Sequence, residues 1–180
     1  VTLLESAETL VPRLDPEVGQ ALGRRMRALG GDVRLGVRAR GVVQRDPPVV
    51  EVERPESGVE RLEADVVLVC LGRVPLTEGL NLEAAGLAPD ARGFLPVDSA
   101  LRTARPWIRA VGDVVGPPLL AHKAYREAKV AVESMLGRRA EFDNLVIPAV
   151  IYTDPEVAWA GMGEAEARAA GIRPRVGTFP

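Results

Sequence analysis

The residues able to do chemistry in this sequence are sparse, and one stretch collects several of them: IRAVGDVVGPPLLAHKAYREAKVAVESMLG, residues 108–137. Residues 108–111 form a short apolar run that reads as a buried strand. It ends at Gly112, where the chain can turn sharply and a ligand can approach the backbone. Asp113 then places a carboxylate at the strand's carboxyl end, where open α/β sheets bind ligands. Pro117 and Pro118 end any strand and suit the entry to a helix. The first helical turn therefore falls near Leu119, Leu120, Ala121 and His122 and presents unpaired backbone N–H groups. Such an N-terminus attracts electron-rich oxygens or developing negative charge. An ordinary strand-loop-helix unit with a capping Asp accounts for the same residues. His122 is the only histidine, and as a general base it would need a carboxylate to orient it and a path for substrate. Cys70 is the only cysteine, which excludes an internal disulfide, and no metal site is expected.

The elements that must position these residues alternate between strand and helix. Residues 1–4 are an apolar run ending at Glu5. Asp15-Pro16-Glu17 starts a helix that Gly30-Gly31 stops, with Val18, Leu22, Met26 and Leu29 at helical spacing. A strand is expected over 33–37 and a second short one at Val42-Val43. Residues 49–53 and 59–62 alternate apolar and polar around Pro55-Glu56-Ser57-Gly58, the pattern of a hairpin or meander with one wet face. Residues 66–71 form an unbroken apolar run, read as a strand buried on both faces, with Cys70 inside it as a small buried hydrophobe and Gly72 closing it. A connector follows, with a helical turn over 81–85 stopped by Gly86, a short strand over 93–98, and Trp107 as a packing residue leading into the 108–111 strand. Beyond Gly137 and a linker at Asp143-Asn144, strands are expected over 149–152 and 157–161 and a helix over 164–170.

Composition limits the possibilities. At 180 residues, with 47% apolar and 27% charged residues, the chain reads as globular and soluble. A net charge of -2 without a basic cluster argues against nucleic acid or an anionic membrane as a partner. No apolar run reaches about 18 residues, so no bilayer span is expected. The opening VTLLE has neither an initiator Met nor a basic segment before an apolar one, and reads as the start of a fragment. The lone cysteine suits a reducing, cytoplasmic compartment.

Four segments carry a resemblance. VGDVVGPPLLAHKAYREAKVA resembles the second FAD-binding motif of the FAD-dependent pyridine nucleotide-disulfide oxidoreductases, and its LAHKA core is most similar to the dihydrolipoamide dehydrogenase branch of that family. CLGRVP resembles the segment where the family's chain leaves the NAD domain, IYTDPEVAWAG the opening of its dimerisation domain, and VTLLE a strand ending on the cofactor-binding acid. The departures are Pro118 beside the flavin-facing residues and Leu119 where many relatives carry Met. The resemblance implies that Asp113 bonds the ribityl or pyrophosphate side of FAD, and that Leu119, Leu120, Ala121 and His122 lie along the isoalloxazine ring, His122 by its backbone. It implies NAD contacts at Glu5, Ala39 and Gly72.

The implied fold is α/β. Residues 1–74 would be the C-terminal part of a Rossmann-like NAD-binding domain, 75–143 a central segment completing the FAD domain, and 144–180 the start of an α+β dimerisation domain. The implied activity is oxidation of protein-bound dihydrolipoamide, with electrons passed through a redox disulfide and FAD to NAD. The implied partners are a second copy of the chain and the lipoyl and peripheral subunit-binding domains of a 2-oxo acid dehydrogenase complex. The family's glycine fingerprint, redox cysteines and catalytic His are not in this sequence, so no catalytic side chain is assigned here and the piece alone is expected to be inactive. A mercuric or glutathione reductase would share the Gly-Asp motif, and a regulatory or structural module could use the same fold to bind NAD or a partner without catalysis. A carboxylate at Glu5 would repel a 2′-phosphate and so favours NAD over NADP. In the intact protein, Glu5→Ala should weaken NAD binding by about 1.5–3 kcal/mol, the worth of a charged hydrogen bond, and narrow discrimination against NADP. Steady-state kinetics with both cofactors check this, and unchanged constants would reduce Glu5 to a strand end.

Overall fold

The computed structural model describes residues 1–55 and 58–179. They form two compact units, one of Val1–Cys70 together with the chain from Val150 onward, the other of Leu71–Ala149. In the first unit β1 (Thr2–Leu4) runs parallel to β2 (Asp32–Arg34) with Leu3 opposite Val33, and α1 (Pro16–Ala28) provides the crossover that parallel pairing needs. Pro16 occupies the first helical position, as expected. The Asp15 carboxylate does not cap α1. It accepts the Glu164 N–H at 3.0 Å, at the start of α3 (Glu164–Ala169). Gly19 faces the preceding loop so closely that a Cβ there would lie 2.4 Å from the Leu10 carbonyl oxygen, so no other residue fits without moving the helix.

A three-stranded antiparallel sheet follows: β3 (Arg38–Arg45), β4 (Pro48–Arg54) and β5 (Gly58–Glu63), with β4 in the middle. The strand period of two decides its faces. Val50 and Val52 point into a core with Val37, joined by Leu4, Leu62 and Val67, while Glu51 and Glu53 pair on the wet face with Arg61 and Arg40. Glu56 and Ser57 of the expected turn lie outside the described residues. Two short strands, β6 (Ala149–Ile151) and β7 (Val157–Trp159), pair with each other, and Asp154 between them bonds Arg25 of α1 at 2.6 Å.

Residues 66–71 depart from the sequence reading. They are extended in no ladder: Leu68 is 85% and Leu71 88% exposed, Cys70 is exposed rather than buried, and only Val67 packs on the core. A strand exists by its hydrogen-bonded neighbour, and no described strand lies alongside this run. Trp107, expected to pack, is 73% exposed.

In the second unit the expected helical turn is present, with the Ala85 and Gly86 N–H groups bonded to Leu82 and Glu83 oxygens. The strand expected over 93–98 does not form, and the one expected over 108–111 shrinks to a single antiparallel bridge of Arg109 with Arg102. Around 93–98 the physical reason is local competition, since Asp side chains take backbone N–H groups that a ladder would need. Asp90 accepts those of Arg92 and Phe94, and Asp98 accepts those of Ala100 and Arg102, both at 2.9 Å. The Asp98 loop holds Leu101 at φ +61° and 2% exposure, where it forms a core with Val130 and Ala131 of α2 (Ala121–Met135). Burial pushes the Asp98 carboxyl up, but the N–H groups and guanidinium of Arg102 and the N–H of Ala100 outweigh it and leave the group below its ordinary value. Stability from this loop is therefore present above the ordinary Asp pKa of about 3.9 and lost as pH falls through the lower folded value. Asp98→Ala should destabilise the protein by about 1 kcal/mol at pH 7, discounted for partial exposure, and the difference should shrink as melts are taken to acid below the ordinary Asp pKa.

Candidate functional site

The site is built where the Arg109 bridge gives way to α2. Gly112 adopts φ +85° and ψ -153°, a conformation that a side chain disfavours, and turns the chain into a short 3-10 turn, Asp113–Val115. Asp113 opens that turn with its carboxylate half exposed. Gly116, at φ +113° and buried, ends it. After the two prolines, Leu120 is extended and α2 begins at Ala121 with no side chain capping it, so the first-turn N–H groups and the positive end of the helix dipole are available to a ligand. Leu119 and Leu120 are half-buried, and Ala121 and His122 are exposed. Asp113 and residues 119–122 thus lie on one short loop and the helix turn that follows it. The His122 Nε2 donates to the Pro148 carbonyl oxygen at 2.6 Å, which leaves no carboxylate orienting the imidazole through that nitrogen.

Two features escaped the sequence reading. Arg73, next to Gly72, donates from Nη2 to the Leu119 carbonyl oxygen at 2.8 Å and places Nη1 3.7 Å from Asp113 Oδ2, joining both halves of the loop. Gly72 itself is exposed at φ +127° with open space where a Cβ would stand. Beneath the loop, Lys123 and Glu127 form an ion pair of 2.8 Å whose side chains are 5% and 3% exposed. Glu127 Oε2 accepts the Gly112 N–H at 2.7 Å, while Lys123 Nζ donates to the carbonyl oxygens of Gly116 at 3.0 Å and Gly112 at 3.3 Å. Helical phase was the signal available for this pair, because Lys123 and Glu127 share a face with Val130, Ala131 and Ser134.

In the other unit, Glu5 sits at the end of β1, half-buried. Its Oε1 accepts the Ala7 N–H at 2.8 Å and the Ser6 hydroxyl at 3.3 Å, which orients the carboxylate beyond the strand. The Val37 N–H donates to the Glu5 carbonyl oxygen, so β3 departs from the Glu5 end of β1 and carries Ala39, exposed and opposite Val52. Among the described residues no cluster of three or more His, Cys, Asp or Glu could hold a metal.

Residues 1–128 match the profile of the family described as pyridine nucleotide-disulphide oxidoreductase, and residues 147–180 match that family's dimerisation domain. Dihydrolipoyl dehydrogenase 3 of Pseudomonas aeruginosa is 44% identical over 182 aligned positions that take in all of this chain and 39% of the relative. Dihydrolipoyl dehydrogenase of Thermus scotoductus is 42% identical with the same coverage. The chain therefore spans about two fifths of the length of these relatives. Among solved structures, LpdA of Mycobacterium tuberculosis aligns with TM-score 0.83 at 27% identity, over 96% of this chain and 37% of that one. The HOCl-induced flavoprotein disulfide reductase RclA of Escherichia coli aligns with TM-score 0.82 at 29% identity, over 95% and 39%.

Removing one partner of a buried pair strands the other charge. Lys123→Met should therefore lower the unfolding free energy by about 3–5 kcal/mol. Arg73→Met, which breaks an exposed contact, should lower it by less than about 1 kcal/mol. Urea unfolding of the whole protein separates them, and equal losses would contradict the buried assignment.

Proposed function

Because the chain belongs to the pyridine nucleotide-disulphide oxidoreductase family, we propose that it is part of a dihydrolipoyl dehydrogenase. The whole protein would oxidise protein-bound dihydrolipoamide to lipoamide and pass the electrons through a redox disulfide and FAD to NAD. The observation that carries this reading is the exposed Asp113 carboxylate on the same short loop as the uncapped N-terminus of α2, in a chain 44% identical to a dihydrolipoyl dehydrogenase. The donor and acceptor set fits a flavin nucleotide. Asp113 would offer an acceptor to a ribityl hydroxyl, Arg73 beside it a cation to phosphate oxygens, and the first turn of α2 N–H groups to the electron-rich edge of an isoalloxazine ring at Leu119, Leu120, Ala121 and His122. Bound flavin would supply the electron-transfer chemistry itself.

Glu5, Ala39 and Gly72 are the proposed NAD residues. The Glu5 carboxylate is already oriented by Ala7 and Ser6, and its remaining lone pairs suit ribose hydroxyls. No catalytic side chain is assigned within the chain. Residues 1–74, 75–143 and 144–180 are assigned to the NAD-binding, central and dimerisation domains, and the protein to a cytoplasmic homodimer. Its proposed partners are the lipoyl and peripheral subunit-binding domains of a 2-oxo acid dehydrogenase complex. No described helix is long and apolar enough to cross a membrane.

Purified whole protein should reduce lipoamide with NADH faster than glutathione disulfide or mercuric ion with either nicotinamide cofactor. A preference for one of those substrates would replace the dehydrogenase reading with a reductase. Flavin absorbance per chain after gel filtration tests the site. Asp113→Ala should lower it, because a ligand hydroxyl loses its charged partner, and His122→Ala should leave it nearly unchanged, because only backbone is implicated there. Full retention in the first variant, or loss in the second, would overturn the division of roles.

A further inference from the structure

We infer that Lys123 and Glu127 are positioning residues of the flavin site, holding the Gly112–Gly116 loop in its ligand-ready form so that Asp113 stands in place before a ligand arrives. This rests on the flavin-site reading above. Neither residue reaches the exposed side of the loop, and both belong to the buried face of α2.

Packing does not explain the pair. The same helix face carries Val130, fully buried, and Ala131, and buried ion pairs are often no more stabilising than apolar side chains of similar volume. What apolar side chains cannot do is bind backbone. Besides bonding each other, the two side chains bond the loop three times, at the Gly112 N–H, the Gly112 carbonyl and the Gly116 carbonyl. These grips fall at both ends of the loop and bracket Asp113.

The loop needs such grips. Gly112 and Gly116 both hold positive φ; among the described residues the loop's own backbone bonds are two of 3.2 Å, Val115 N–H to Gly112 and Gly116 N–H to Asp113, and the Leu95 N–H steadies its middle at the Val114 carbonyl oxygen at 2.8 Å but reaches neither glycine. Lys123 is also the third residue of α2, so the pair couples the loop to the helix turn whose N–H groups face the ligand. The acceptor at Asp113 and the donors at the helix start are thereby held in one fixed geometry. Arg73 approaches from the exposed side, 3.7 Å from Asp113 and 2.8 Å from the Leu119 carbonyl oxygen just before α2.

The test replaces the pair in the whole protein by Lys123→Met together with Glu127→Leu. Apoprotein is prepared, its melting temperature recorded and its FAD affinity measured by titration. The expected result is a melting temperature within a few degrees of the parent with FAD affinity weakened about tenfold or more, the scale of one lost charged hydrogen bond. Glu127→Gln, which keeps an oxygen for the Gly112 N–H, should retain more affinity than the double variant. A parent-like FAD affinity in the double variant overturns the inference. Amide exchange on the unsubstituted apoprotein needs no variant to fold: the 112–116 segment should be protected without flavin, and exchange at unstructured rates until FAD is added also overturns it. Asp113→Ala serves as the reference. If that variant keeps parent-like FAD affinity, the flavin-site reading fails; if it loses affinity while the double variant does not, only the role of the pair fails.

Discussion

A lysine and a glutamate with almost no solvent contact face each other one helical turn apart, and together they bond the Gly112–Gly116 loop at both its ends. Each charge would be expensive to bury alone, and each is compensated by the other and by backbone groups of Gly112 and Gly116. The arrangement makes α2 both a packing element and a template. Its inner face continues through Val130 and Ala131 into a core with Leu101, and its exposed start offers uncapped N–H groups. The loop that bears Asp113 is fixed to the first of these roles and presented beside the second.

The same economy of backbone bonding runs through the rest of that unit. Asp90 and Asp98 take up N–H groups that would otherwise require a strand partner, so the polypeptide between Pro75 and Gly112 is ordered by side-chain-capped turns more than by sheet. Leu101 is held in the left-handed region at the centre of the core by one such turn. In the other unit the ordering principle is different. There a parallel pair and an antiparallel meander satisfy the backbone, and ion pairs between Arg and Glu decorate the wet face of β4 and link β2 and β4 to Glu60 of β5.

The apolar run at 66–71 belongs to neither scheme. Its composition suits burial on both faces, yet its leucines are open to solvent, and the chain covers about two fifths of the relatives it matches. Arg73, immediately beyond it, is nevertheless engaged with Asp113 and the Leu119 carbonyl, so the segment that carries Gly72 is tied to the loop even without a ladder.

Sequence alone determined most of the local structure. Asp15-Pro16 and Gly30-Gly31 bounded α1, alternation over 49–53 and 59–62 marked the central hairpin, and Gly112-Asp113 followed by Pro117-Pro118 located the Gly112–Gly116 loop and the start of α2. These are signals carried by neighbours in the chain: restricted φ, missing donors, and periodicity. Tertiary structure decided what depends on partners distant in sequence. The Asp15 carboxylate serves α3 rather than α1, residues 66–71 make no strand, and Arg73 meets Asp113 from far away in the chain. Lys123 and Glu127 stand at i, i+4 spacing, and such pairs usually decorate a solvated face, so the spacing alone assigned them no role. That they are buried and hold the loop follows only from the placement of Leu101, Gly112 and Gly116 around them, because burial and hydrogen-bond satisfaction are properties of the assembled fold.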